Sequence, residues 1–287
     1  MCGIFGIIRK GQTYASVPSS SNNNVLVPGI FKSLALQSEA RGRDSTGVIL
    51  LDNPTGSYQP INGIKVPKKE RYTVFKDKIP ANRFVESAGF KTVMSRFNDT
   101  SIGLIGHTRA GSSSSPHNNA NNHPHVCGNV IGVHNGNIHN WKQLVAEYNL
   151  PMAGRCDSEV IFRLIDKFIT EDNLTFTAAT QLAATKLKGS FACAAVSVRD
   201  KGHIYLFKKS APIKILHRTI GNFVMFASET TYIHNAFRES RIEKKHSPCY
   251  TELCEYVLPD NHGIDLDTTK TTYSEWIQEV EPFNLDG

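Results

Sequence analysis

The chain opens MCGIFGII (residues 1–8), and the reading of this octapeptide decides how the rest of the sequence is understood. CGIFGII is a short apolar run bounded by turn signals, so it predicts a buried strand. A cysteine at the second residue then has two readings. It is either a small core residue of that strand or, once Met1 is removed, the first residue of the chain. Small residues in second place generally permit that removal. A secretory reading fails, because the run is only seven residues, no basic segment precedes it, and Arg9 and Lys10 follow. No stretch approaches the roughly 18 apolar residues of a membrane span. A cytoplasmic protein without a membrane partner is expected.

Bulk composition narrows the class without naming a function. At 287 residues the chain can bury a sizeable core, and 40% hydrophobic with 20% charged residues is ordinary for a globular protein. A net charge of +6 is compatible with anionic ligands or nucleic acid but argues for neither, and a nucleic-acid partner is not expected. The six cysteines are widely spaced in mostly apolar company, which favours free thiols over a disulfide framework. Cys249 and Cys254 form C-x4-C behind His246, yet a structural zinc site needs a second pair, so no metal is expected. HNNANNHPH (117–125) reads as a mobile polar loop rather than a metal site. No Gly-rich phosphate loop or dinucleotide fingerprint occurs, so no cofactor is expected.

Outward from the first strand, Gly11–Asn24 reads as a polar surface loop. A helix is expected from Gly29 to Ala40, with Ile30, Phe31, Leu34 and Ala35 on one face. RGRDSTG then turns the chain into the strand GVILLD. Residues 53–80 are rich in Pro, Gly and Lys, an irregular basic insertion around one strand, RYTVF; a solvated loop is the plain reading and a surface for an acidic partner or nucleic acid the other. A helix over 81–96 precedes the strand SIGLIGHTR, a Gly/Ser/Asn loop, the strand NVIGVHNG and a helix over 140–148. CDSEVIFRLIDKFI has helical period, with an N-cap region around Asp157 and Ser158. A helix over 175–187, the strands SFACAAVSV, HIYLFKK and NFVMFAS, the helix ETTYIHNAF and a polar tail with the strand TELCEYVL complete the chain. Strands grouped at both ends with helices between them point to an α+β or layered α/β domain with mixed or antiparallel sheets.

Five separated segments are unusually specific: CGIFGI (2–7), RGRDSTG (41–47), GHTRAG (106–111), HNGNI (134–138) and CDSEV (156–160). In this order they resemble the class II glutamine amidotransferases over about residues 2–236, with 237–287 as a C-terminal extension packed on that domain. The resemblance implies an α+β fold of the N-terminal-nucleophile hydrolases, a four-layer αββα sandwich with two mainly antiparallel sheets.

The chemistry of the residues agrees with it. A thiol near its ordinary pKa of about 8.5 is mostly protonated at neutral pH and needs a base. A terminal α-amine titrates at about 7.7–8.0 and, with Met1 gone, sits on the same residue as the Cys2 thiol. Attack on a carboxamide creates an oxyanion, and HNG offers two donors for it, the Asn135 side-chain amide and the Gly136 N–H. Asn-Gly between two strand-like runs is also an ordinary hairpin turn, and a turn can present both donors.

By resemblance, Arg109 forks onto the α-carboxylate of glutamine, Ser112 lines the glutamine site, and Asp157 takes the α-ammonium, with a plain helix cap as its other reading. Arg41 and Asp44 read as a structural ion pair behind the nucleophile. The family's sugar-amidating members read GHTRWATHG where this chain has GHTRAGSSSS. Ala110 thus replaces a gating tryptophan, and Ser112 keeps a small hydroxyl where threonine stands.

The expected function is a stand-alone glutaminase that releases ammonia for a separate synthetase or acceptor protein. About 50 residues follow the domain, too few for an acceptor domain of the sugar-isomerase or phosphoribosyltransferase kind. A γ-glutamyl amide hydrolase of a small metabolite stays open, as does a non-catalytic scaffold if Met1 is retained. A homo-oligomer is compatible with the sequence.

Overall fold

The computed structural model describes residues 2–9, 22–52, 72–98, 101–111, 114–218, 223–240, 253–269 and 281–286. In chain order these carry β1 (Gly3–Arg9), α1 (Asn22–Ser38), β2 (Ser45–Leu51), β3 (Tyr72–Asp77), the short helices α2 (Ala81–Phe84) and α3 (Ala88–Ser95), β4 (Gly103–Arg109), β5 (His125–Cys127) and β6 (Val130–Ile138). They continue with α4 (Trp141–Glu147), α5 (Asp157–Glu171), α6 (Phe176–Lys186), β7 (Gly189–Ser197), β8 (His203–Lys209), β9 (Lys214–Arg218), β10 (Phe223–Ala227), α7 (Thr230–Glu239), β11 (Leu253–Tyr256), β12 (His262–Asp267) and β13 (Phe283–Asn284). Among the described residues the strands form one sheet in the order β11-β9-β10-β1-β4-β2-β3 and a second in the order β13-β12-β8-β7-β6-β5. Every ladder within them is antiparallel.

Strand alternation sorts the side chains into layers. Ile4 and Ile8 of β1, Ile49 and Leu51 of β2, and Ile105 of β4 face the second sheet, where they meet Ile131, Val133, Ala192, Ala194 and Leu206. The intervening Phe5, Ile7, Val48, Leu50 and Leu104 pack against Ile30, Phe31 and Leu34 of α1 and Ile233 and Phe237 of α7. On the outer face of the second sheet, Val130, Phe191, Cys193 and Phe207 meet Val160, Ile161, Leu164 and Ile165 of α5 and Phe176 of α6. The order is helix, sheet, sheet, helix, the expected αββα sandwich. Strands covered on both faces have no polar side to show, so GIFGIIR and STGVILL are buried at every position. Burying a ring such as Phe5 contributes roughly 2–3 kcal/mol.

Several elements differ from expectation for identifiable reasons. α1 begins at Asn22, ahead of the expected start at Gly29, and carries Pro28 inside it, where a proline ordinarily argues for a boundary. The helix expected over 81–96 is two, because the Ser87 hydroxyl caps α3 by accepting the Phe90 N–H at 3.2 Å. β5, β9, β12 and β13 were not expected. β9 fills the gap between β10 and β11, while β12 pairs with β8, so the tail contributes strands to both sheets. RYTVF forms β3, whereas residues 53–71 of the basic insertion lie outside the described residues, as do His246 and Cys249. The five described cysteines are free.

The segment 117–125, expected to be a mobile loop, instead packs into the protein, with Asn121, Asn122, His123 and His125 buried. Gly47 of β2 makes room for it. A Cβ there would overlap the His123 carbonyl oxygen and come within 2.7 Å of Pro124 Cδ. The His123 ring stacks on His107 of β4 at 3.8 Å between centroids and meets His125 edge-on at 4.5 Å. His134 of β6 lies 6.5 Å from His123. Burial holds all four rings neutral. It pushes His107 down to about 3, lowers His134, and drives His123 and His125 well below the ordinary histidine value.

Two outcomes follow from this packing. Gly47→Ala should destabilise the fold by about 2 kcal/mol or more, read as a lower urea midpoint, because neither backbone can yield without shifting a sheet. Lowering the pH should also destabilise it. The unfolded chain protonates its histidines near about 6.5 while the folded rings resist, so the unfolded state binds more protons below that pH. Each ring contributes up to about 1.4 kcal/mol per pH unit, and urea titrations between about pH 6.5 and 5 should show a slope above that of one histidine. A flat profile would mean that the rings accept protons in place.

Candidate active site

Cys2 precedes the first ladder residue of β1, and its neighbours are fixed one by one. Gly3 pairs with Thr108 of β4, and the Thr108 hydroxyl donates to the Ser38 carbonyl at 2.7 Å. The Ile4 N–H donates to Ser228 Oγ at 3.0 Å and the Ser228 N–H to the Ile4 carbonyl at 2.9 Å. Arg41 Nε donates to the Cys2 carbonyl at 2.9 Å, and its guanidinium is ion-paired with Glu229, the residue at the N-cap position of α7. The expected pairing of Arg41 with Asp44 is therefore not made. Asp44 instead accepts the Gly111 N–H at 2.6 Å and holds the strand end that carries Arg109. The Cys2 thiol points at the Ala110 carbonyl, 3.8 Å away. Burial raises its pKa, against the opposing pull of the Ala110 contact and the Arg109 charge, so the resting thiol is protonated.

HNGNI forms the last part of β6 on the second sheet. The His107 Nε2–H donates to the His134 carbonyl at 3.0 Å, joining β4 to β6 across the sandwich. His107 pairs with Ile4 in the ladder, so this bridge sets HNG against the start of β1. His134 Nδ1 accepts the Ser158 hydroxyl at 2.7 Å, fixing β6 to the first turn of α5. Asn135 is 5% exposed, and among the described residues its side-chain amide has no partner. Gly136 has φ +142, and a Cβ would overlap the Ser190 carbonyl oxygen, so the position is open to glycine alone.

Arg109 ends β4 and is 3% exposed. Its guanidinium donates to Asn122 Oδ1 at 3.0 Å and to the Ser114 carbonyl and hydroxyl, each at 2.7 Å. All of these acceptors are neutral. Asp157 opens α5, 6% exposed, with Oδ2 accepting the Ile138 N–H at 2.9 Å and Oδ1 the Cys156 thiol at 3.8 Å. Cys156, not Asp157, is the N-cap residue. Among the described residues neither Arg109 nor Asp157 has an ion-pair partner. The two lie about one site: the Arg109 charge bears on the thiols of Cys2 and Cys156, and Cys156 adjoins Asp157. A buried charge without a counter-ion is costly, and it is ready to receive one from a ligand.

Cys2 and Arg109 thus lie at strand ends of the first sheet and Asn135 and Gly136 on β6 of the second, joined by the His107–His134 bridge, with Asp157 at the start of α5 bonded to Ile138 of β6; Ser112 lies outside the described residues. Sequence reasoning missed Asn122, Lys76 and Glu229. The crowding of amides in 117–125 was the available signal for the first of these. Among the described residues no group of three or more His, Cys, Asp or Glu is placed to hold a metal ion, and no helix is long and apolar enough to cross a membrane.

A family model described as a glutamine amidotransferase domain matches residues 112–235, which include HNG and Asp157. A glutamine–fructose-6-phosphate aminotransferase (isomerizing) of Staphylococcus aureus strain COL is 31% identical over 268 residues, 92% of this chain and 38% of the relative. The protein of the same name from Streptococcus agalactiae serotype III is 29% identical over 223 residues, 75% of this chain and 30% of the relative. Among solved structures, glutamine phosphoribosylpyrophosphate amidotransferase from B. subtilis superposes with a TM-score of 0.65 at 16% identity, covering 99% of this chain and 49% of that one. The chain therefore spans about a third of the length of these curated relatives and half of the solved chain. With a relative 31% identical to it over 92% of its length, the chain belongs to the class II glutamine amidotransferases.

Proposed function

We propose that the chain is a glutaminase working in the cytoplasm, and that the ammonia it releases serves an acceptor site outside these residues, on a separate partner protein. The observation that carries this reading is a pair of buried, uncompensated charges: Arg109, whose charge acts on the Cys2 thiol, and Asp157, next to Cys156, whose thiol also feels Arg109. A free α-amino acid brings a carboxylate for Arg109 and an ammonium for Asp157, satisfying both at once. Guanidinium suits the first role because it stays charged and binds carboxylate through paired N–H groups.

With the zwitterion held at those two points, the γ-carboxamide extends toward Cys2. The thiol gives its proton to the α-amine freed by loss of Met1, and sulfur bonds to the amide carbon. Charge then collects on the carbonyl oxygen, where the unpartnered Asn135 amide and the Gly136 N–H supply donors. The C–N bond breaks as the ammonium of Cys2 returns its proton to the leaving nitrogen, giving ammonia and a γ-glutamyl thioester. Water, deprotonated by the same amine, adds to the thioester carbon and releases glutamate with the thiol restored. Because burial disfavours the thiolate before substrate arrives, the amine is what makes the attack feasible near neutral pH.

Three measurements test this. Intact mass of purified native material should be lighter than the full chain by one methionine. Glutamate formation from glutamine should fall about 10⁴-fold or more in Cys2→Ala and about 10²–10³-fold in kcat for Asn135→Ala. Asp157→Asn keeps an acceptor for Ile138 but loses the charge, and should raise KM about tenfold or more with a smaller change in kcat. Turnover that survives Cys2→Ala would overturn the reading. Preference for bulky γ-glutamyl amides over glutamine would reassign the substrate and remove the case for ammonia delivery.

A further inference from the structure

Arg109 is held by a loop whose own anchorage is unusual. Lys76 of β3 turns its amine inward to donate to two backbone carbonyls, Asn122 at 2.6 Å and Pro124 at 2.8 Å. Asn122 is fully buried, and its side chain is spent in three directions. Nδ2 donates to the Pro116 carbonyl at 2.8 Å and to Asn119 Oδ1 at 3.1 Å, while Oδ1 accepts Arg109 Nη1 at 3.0 Å. The preceding residue, Asn121, works toward the other anchor. Its Oδ1 accepts the Arg155 N–H at 2.7 Å, two residues before Asp157, and its Nδ2 donates to the Ser115 carbonyl at 2.9 Å. Adjacent asparagines on one loop therefore reach the cationic end and the anionic end of the same site.

The choice of amides matters electrostatically. An aspartate in place of Asn122 would accept the same hydrogen bond but neutralise the guanidinium, leaving nothing for a substrate carboxylate. An amide orients Arg109 and leaves its charge available.

We propose that Asn122, fixed from behind by Lys76, is the positioning residue that aims a still-charged Arg109 at the substrate α-carboxylate, and that Asn121 ties the same loop to the backbone before Asp157. One loop then sets the separation of the two charged anchors and selects α-amino acids of that span. This inference rests on the roles given above to Arg109 and Asp157.

The test compares glutamine with 4-aminobutanamide, which is glutamine without its α-carboxylate. Asn122→Asp is nearly isosteric and keeps the acceptor for Arg109, but its second oxygen meets the Pro116 carbonyl and Asn119 Oδ1 that Nδ2 now satisfies; Asn122→Ala, which loses the amide without adding charge, and Lys76→Met therefore stand beside it. Asn122→Asp should raise KM for glutamine about 30-fold with kcat within about threefold, and leave kcat/KM for 4-aminobutanamide unchanged. Lys76→Met should show the same selectivity at about five- to tenfold. Calorimetric binding of glutamine to Cys2→Ala protein, with and without Asn122→Asp, should weaken by the same factor of about 30, independently of turnover. Proportional loss on both substrates would mean that the loop is merely structural, and an unmoved glutamine KM would mean that Asn122 does not govern Arg109; either overturns the proposal. Absence of Cys2-dependent glutamine turnover in the unsubstituted protein would overturn the reading of the site itself, and this inference with it.

Discussion

Cys2 stands one residue ahead of a strand that hydrogen-bonds on both sides, and the other groups of the site are arranged around that anchored end. A chain terminus ordinarily frays, since nothing offsets the entropy of ordering it. Here β1 lies between β10 and β4 in the middle of its sheet, with both faces covered by apolar layers. Ser228 closes the ladder at Ile4, Thr108 sits opposite Gly3, and Arg41 takes the carbonyl of Cys2 itself. The thiol inherits the rigidity of the sheet without being part of it. In the proposed reaction, fixing Cys2 before substrate arrives lowers the entropy that the reaction must otherwise supply.

The electrostatic design runs opposite to that of an ordinary core. Arg41 carries a carboxylate partner, Glu229, and Glu159 carries Arg163, so these buried charges are balanced within the fold. Arg109 and Asp157 are balanced only by neutral dipoles. A protein built for stability alone would pair or replace them. The histidine stack belongs to the same pattern, because His123 offers two ring nitrogens and His125 one that find no protein partner among the described residues. Polar groups held unsatisfied near a site reduce stability and preserve the capacity to bind.

What the sequence made legible was whatever local pattern could encode. The unbroken apolar runs of β1, β2, β4 and β6 and the helical period of α5 required no knowledge of the partner layers. HNG and Cys2 were legible because few other chemistries use those residues together. The loop at 117–125 was not, since amides and histidines in a row describe a solvated loop equally well. Gly47 and Gly154, distant in sequence, make room for it, and Lys76, whose charge suggested solvent, satisfies two of its carbonyls. Likewise Arg41 was expected beside Asp44, its sequence neighbour, and found its carboxylate at Glu229, far along the chain. β9 and β12 escaped notice because KILHR and HGIDLD mix charge into short runs that become strands only when a neighbouring edge stands ready to pair with them.

The tail has a mechanical meaning. The chain passes from β8 in the second sheet to β9 in the first, and later returns from β11 in the first to β12 in the second. These two crossings run side by side, and the Ser210 N–H clasps them by donating to Asp260 at 2.8 Å. The sheets are laced together, so one cannot slide over the other without tearing a ladder at the lace. Cys2 and Arg109 ride on one sheet, Asn135 and Gly136 on the other, and their alignment is a matter of shear. Residues late in the chain thus tie the two sheets, and with them the two halves of the proposed centre, in register.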